Sequence, residues 1–92
     1  MFFLVCFDIV DDRTRYRVVK TLKGYGVRVQ KSVFECGNMT EYRFMKMKSN
    51  LDDLIDYGED TIRYYPLCRS CTRSIEFSGT GDRPFTSRYE IL

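Results

Sequence analysis

A chain of 92 residues with 43% hydrophobic and 30% charged side chains suits one small domain, which buries about 60–65% of its unfolded surface, and is too apolar to stay disordered. It has no histidine, which removes Ser-His, Cys-His and His-metal schemes, and it lacks the glycine-rich loops that cradle nucleoside triphosphates and dinucleotides. The net charge is only +2, yet residues 13–48 hold ten Lys and Arg against Glu35 and Glu41 alone, a local +8 that points to a polyanion, nucleic acid first.

Residues 2–9 (FFLVCFDI) form an apolar run rich in β-formers and read as a strand covered on both faces, with Asp8 near its end. Asp11 and Asp12 are N-cap candidates for a helix over about 13–24, which glycines 24 and 26 terminate. That helix places Arg15, Val18, Val19 and Leu22 on one stripe and Arg13, Arg17 and Lys20 on another. Residues 27–36 alternate as a long strand that can bend near Lys31 and Ser32 and count as two. Asn38 and Glu41 resemble a capping box for a second helix over about 39–55. A strand is expected over 60–67, another over 72–77, a polar turn over 81–87 and a terminal strand over 89–92.

This order predicts an α+β, ferredoxin-like architecture: two helices on one face of a four-stranded antiparallel sheet. The expected division is a domain over 1–80 and a C-terminal segment over 81–92. The first strand is apolar on both sides, so the sheet's second face also needs cover. A second copy of the chain is the simplest cover, and a homodimer is expected. The longest apolar run is far below the ~18 residues of a membrane span, and no secretory leader is recognisable, so no membrane association and a cytoplasmic location are expected.

Asp8 is the most informative position. A carboxylate in an apolar strand is costly unless it is paired or binds a cation. Two-fold symmetry can bring two such carboxylates together around Mg²⁺ or Mn²⁺, where an activated water attacks a phosphodiester. Arg15 is expected over the end of the first strand, either as the ion-pair partner of Asp8 or as an anchor for a phosphate. Arg13, Arg17 and Lys20 suit sequence-independent, salt-sensitive backbone binding. Cys68 and Cys71 have the local spacing of a zinc half-site, but a closed site needs two more ligands, so free thiols are the default. Phe34, Tyr64 and Tyr65 can stack on bases, although core packing is the commoner role of strand aromatics.

The first strand ending in Phe7-Asp8-Ile9, then Asp11, Asp12 and the arginine ladder, then the 26–36 segment GVRVQKSVFEC, together resemble the small CRISPR-associated adaptation protein, often named an endoribonuclease. The likeness is close over about the first 40 residues and continues by element order. It implies a ferredoxin-like homodimer in which the terminal strand adds to the partner's sheet. It also implies Asp8 as the catalytic metal residue at the dimer interface. Arg15, Arg17, Arg28, Ser32 and Phe34 fall on the family's functional positions. Phe7 stands where the family commonly has Tyr, and Lys31 where it commonly has an aromatic, adding a basic contact instead. The resemblance implies two roles. One is metal-dependent endonuclease action on RNA or DNA. The other is architectural: binding double-stranded DNA and bridging integrase dimers during spacer acquisition. The physical reading favours the architectural role, because one shared carboxylate pair is a thin catalytic site. The alternatives are a toxin-type metal-dependent endoribonuclease of similar fold and a ligand-binding regulatory domain, and single-stranded RNA is a further candidate partner beside double-stranded DNA.

Overall fold

The computed structural model describes residues 1–80. Its elements run β1 (Phe2–Asp8), α1 (Asp12–Leu22), β2 (Val27–Gln30), β3 (Val33–Cys36), α2 (Glu41–Leu54), β4 (Thr61–Leu67) and α3 (Arg69–Arg73). The four strands form one sheet in the order β2-β3-β1-β4, with every neighbouring pair antiparallel. The sequence-predicted terminal strand over 89–92 and the segment 81–92 lie outside the described residues.

The core follows from strand periodicity. Phe3, Val5 and Phe7 alternate along β1 and are buried with Phe34 and Cys36 of β3. Val18, Val19 and Leu22 of α1 and Met47 and Leu51 of α2 close the same cluster, so both helices cover one face. Phe44 of α2 stacks on Phe3 at 4.3 Å and meets Tyr64 of β4 edge-on at 5.6 Å. Tyr64 is held there by its ring, at the expense of a buried hydroxyl with no hydrogen-bond partner among the described residues. Burial pushes that phenol well above its ordinary range.

Local chemistry sets the boundaries. Asp11 caps α1 by accepting from the Thr14 amide at 2.8 Å and the Thr14 hydroxyl at 3.1 Å. Those two bonds, led by the amide, lower the Asp11 carboxyl below its ordinary value. Thr40, not Asn38, caps α2, through the Arg43 amide at 3.0 Å. Asn38 takes the preceding turn at φ 52°, a left-handed conformation that its short polar side chain tolerates. Pro66 is accommodated because β4 is an edge strand. The expected bend in the second strand is a β-hairpin, with an irregular register between Arg28 and Gln30.

The strand expected over 72–77 is not formed. Instead, α3 begins at the Cys68 cap, and the buried Thr72 hydroxyl donates to the Arg69 carbonyl at 2.7 Å. Only Ile75 and Phe77 are apolar there, too few to anchor a strand against a sheet.

Gly26 marks the closest approach in the fold. A Cβ there would collide with the Glu35 carbonyl oxygen and lie 2.6 Å from the Cys36 sulfur. Gly26→Ala is therefore expected to cost about 1–3 kcal/mol, because backbone must move to make room. At this chain length that lowers the melting temperature by about 4–8 °C per kcal/mol, measurable by circular dichroism.

Candidate nucleic-acid interface and metal position

Alternation along β1 sends Leu4, Cys6 and Asp8 to the face opposite the helices. Antiparallel register sets Glu35 and Val33 beside Leu4 and Cys6 on β3, and Tyr65, Arg63 and Thr61 beside Leu4, Cys6 and Asp8 on β4. Phe2, which shares this parity, is buried at the start of the strand. Val27 and Tyr65 are left more than two-fifths exposed.

Asp8 ends β1 and is exposed in the protomer. Its carboxylate has no hydrogen-bond or ion-pair partner among the described residues. The desolvation cost expected of a carboxylate inside a strand does not arise in one copy, because Asp8 occupies the solvated end of the strand. The expected Asp8–Arg15 pair is likewise not formed. Arg15 does reach the exit of β1, but its Nε and Nη2 donate to the Ile9 carbonyl at 3.3 and 3.0 Å, and its Nη1 pairs with Asp12 at 2.6 Å. Arg15 thus fixes the turn after the aspartate and leaves the carboxylate unpaired. Asp60 braces the same turn from β4's side, accepting from the Val10 amide at 3.0 Å.

Arg13, Arg17 and Lys20 are exposed along the outer side of α1, one or two turns apart, with no ion-pair partner among the described residues. Tyr16 lies within the same stripe. Arg28 is exposed on β2, but its Nε and Nη2 hold the Lys31 carbonyl at 3.0 and 2.6 Å, which tightens the hairpin turn. The Lys31 side chain is exposed and Ser32 half-buried, with the Ser32 carbonyl accepting from the Phe7 amide at 3.1 Å.

Phe34 corrects an expectation. Its ring is fully buried in the core, 6.3 Å from Phe7, so it has no face to offer a base. Tyr64 is committed to Phe44, which leaves Tyr65 as the exposed tyrosine of that pair. Arg63 was not singled out by sequence reasoning. Its register opposite Cys6 puts it on the Asp8 face, where its Nη1 reaches the Tyr65 hydroxyl at 3.4 Å. The signal that could have found it is the alternation of 60–67, in which Arg63 and Tyr65 share a face.

Among the described residues no group of three or more Cys, Asp or Glu side chains could hold a metal ion. At this end of the sheet Asp8 is an exposed carboxylate without a partner among the described residues, whereas Asp60 and Asp12 are engaged by the Val10 amide and Arg15. No helix among the described residues is long and apolar enough to cross a membrane.

A β2-β3-β1-β4 antiparallel sheet with two helices on one face defines a ferredoxin-like α+β protein, and the outer side of α1 is basic. The chain belongs to the CRISPR associated protein Cas2 family, whose model matches residues 1–75. The CRISPR-associated endoribonuclease Cas2 1 of Chloroflexus aurantiacus is 44% identical over 90 residues, which are 96% of this chain and 95% of that protein. The solved structure of a hypothetical protein, TT1823, from Thermus thermophilus matches with a TM-score of 0.80 at 36% identity, over 90% of this chain and 95% of that one. A chain from a partial Cas6-RT-Cas1–Cas2 complex matches with a TM-score of 0.71 at 32% identity, over 83% of this chain and 82% of that one.

Proposed function

We propose that the protein acts in CRISPR adaptation as a homodimer that binds double-stranded DNA and bridges dimers of the integrase, Cas1, during spacer acquisition. The observation that carries this reading is the stripe of Arg13, Arg17 and Lys20. Three exposed cations on one helix, none in an ion pair among the described residues, suit the charge of a phosphate backbone. Lys31 and the outward part of Arg28 add to the same basic half of the chain. The similar chain in a complex with Cas1 supports the choice of partner.

Two copies would pair through the exposed part of the sheet face opposite the helices, where Leu4, Cys6, Val33 and Tyr65 give an apolar centre. Pairing doubles the cation stripe without adding a new element. The decisive experiment mixes the protein with its integrase and a labelled duplex and follows complex size and strand joining into a repeat-bearing plasmid. A ternary complex is expected, with joining that requires this protein. Joining that proceeds equally well without it, or a chain that sediments only at its 11.0 kDa protomer mass, overturns the reading.

A second activity is supported by Asp8. An exposed, unpartnered carboxylate at a strand end suits a hard cation, and two copies would supply two carboxylates, which is as many as Mg²⁺ usually takes while keeping its waters. Mg²⁺ or Mn²⁺ held there would activate a water and stabilise the departing oxygen of a phosphodiester. Asp8 would hold the ion, Arg15 would fix the turn behind it through the Ile9 carbonyl, and Arg63 lies on the same face to meet a phosphate. The name of the Chloroflexus relative, an endoribonuclease, agrees with cleavage of RNA.

A further inference from the structure

Four cysteines are free in this chain: Cys6 is half-buried on β1, Cys36 is buried on β3, and two are exposed. Cys36 is fully buried, and burial pushes its thiol up to about 12, so it stays protonated and inert. Cys68 and Cys71 are both exposed, directly after β4. Their sulfurs lie 3.2 Å apart. The Cys71 amide donates to the Cys68 sulfur at 3.4 Å, and the Ser70 hydroxyl lies 3.2 Å from it. These bonds stabilise a thiolate on Cys68. The Ser70 hydroxyl contributes most, followed by the Cys71 thiol, and together they bring Cys68 down to about 7. The same proximity raises Cys71, because a thiol donating to a neighbouring thiolate gives up its proton less readily. One sulfur is therefore a nucleophile near neutral pH and the other is a resolving thiol within reach.

We propose that Cys68 and Cys71 form a redox-active dithiol, a site of reversible thiol–disulfide exchange with low-molecular-weight disulfides such as oxidised glutathione. The exchange balances in two steps. The Cys68 thiolate attacks one sulfur of the small disulfide, forms a mixed disulfide, and expels one thiolate. Cys71 then loses its proton to solvent, attacks the Cys68 sulfur, closes the intrachain disulfide and expels the second thiolate. Two protein thiols are oxidised and one small disulfide is reduced to two thiols. Closure needs the sulfurs to move from 3.2 Å to about 2.05 Å, a change within reach of side-chain rotation. It also removes the negative charge from the Cys68 sulfur that accepts the Cys71 amide at the start of α3, so any conformational effect centres on the turn leaving β4.

A zinc site is the competing use of the same pair. It is disfavoured because no third Cys, Asp or Glu joins these sulfurs among the described residues, and the chain has no histidine.

The test is equilibration of the full chain in buffers of graded reduced-to-oxidised glutathione ratio, followed by acid quench, alkylation of free thiols and peptide mass mapping. The expected result is loss of two alkylatable thiols per chain, mapped to a Cys68–Cys71 bond and fully restored by dithiothreitol, with Cys36 unmodified in the folded protein. Cys71→Ser should stop at a glutathione adduct on Cys68. Cys68→Ser should form neither the bond nor the adduct at a comparable rate. The proposal is overturned if both thiols stay alkylatable at every ratio, or if oxidation yields only bonds between chains. It is equally overturned if the thiols react only after a zinc chelator is added. The wild-type titration needs no variant to fold, and its outcome is independent of DNA or integrase binding.

Discussion

Replacing Arg13, Arg17 and Lys20 together by Ala is expected to weaken duplex binding by about a hundredfold or more at low salt and to flatten its salt dependence. The magnitude follows from counting phosphates. Each neutralised phosphate contributes about 0.9 to the slope of log affinity against log salt, so six cations on a dimer account for a slope change of about 5 if all of them contact the backbone. Fluorescence anisotropy across a salt series reads this directly. The three side chains lie outside the core cluster and form no ion pair among the described residues, so the fold should not suffer. The effect should be the same for duplexes of unrelated sequence, because phosphate contacts position a protein without reading bases. A variant with an unchanged salt slope would show that DNA meets a different surface, and the architectural reading would lose its main support.

Sequence reasoning located these cations because helical periodicity separates them from Val18, Val19 and Leu22 without any knowledge of the fold. The same logic found β1, both long helices and the bend between β2 and β3. It failed where the outcome depended on tertiary partners. Arg15 was correctly placed over the end of β1, but backbone carbonyls and Asp12 won its guanidinium, and spacing alone cannot rank those acceptors against Asp8. Asn38 is the residue the capping-box spacing selects, but Thr40 is the observed cap. The reciprocal bonds between Met1 and Met39, both at 2.8 Å, seat the turn so that Thr40 meets the helix entrance. Phe34 sits in a segment matching a functional motif, yet register with Val5 turns it into the core. Around 72–77, β-propensity was overridden by side-chain bonds from Cys68 and Thr72, which stabilise a short helix that no hydrophobic period announces. Arg63 became visible only through its pairing with Cys6, a relation 57 positions apart in the chain.

Asp8→Asn is expected to separate the two activities. Asn keeps the shape of the side chain but loses the charge that holds a hard cation, so Mg²⁺-dependent cleavage should fall by about 10³-fold, corresponding to the several kcal/mol a bound metal supplies to the transition state. Duplex affinity should hold, because Asp8 lies on the sheet face opposite the helices and not among the α1 cations that would meet the duplex. A thermal readout makes the result independent of nuclease contamination. If two Asp8 carboxylates meet across a two-fold axis, they repel each other in the absence of metal, and a cation relieves that repulsion. The wild-type melting temperature should then climb with Mg²⁺ concentration, as mass action requires of an ion that binds only the assembled state. The Asp8→Asn protein should melt higher than wild type in a chelator and respond little to the metal. Cleavage surviving in the variant would move the chemistry away from Asp8. A melting temperature indifferent to Mg²⁺ in both proteins would show that the carboxylates do not share an ion, which confines the protein's role to holding DNA and its partner.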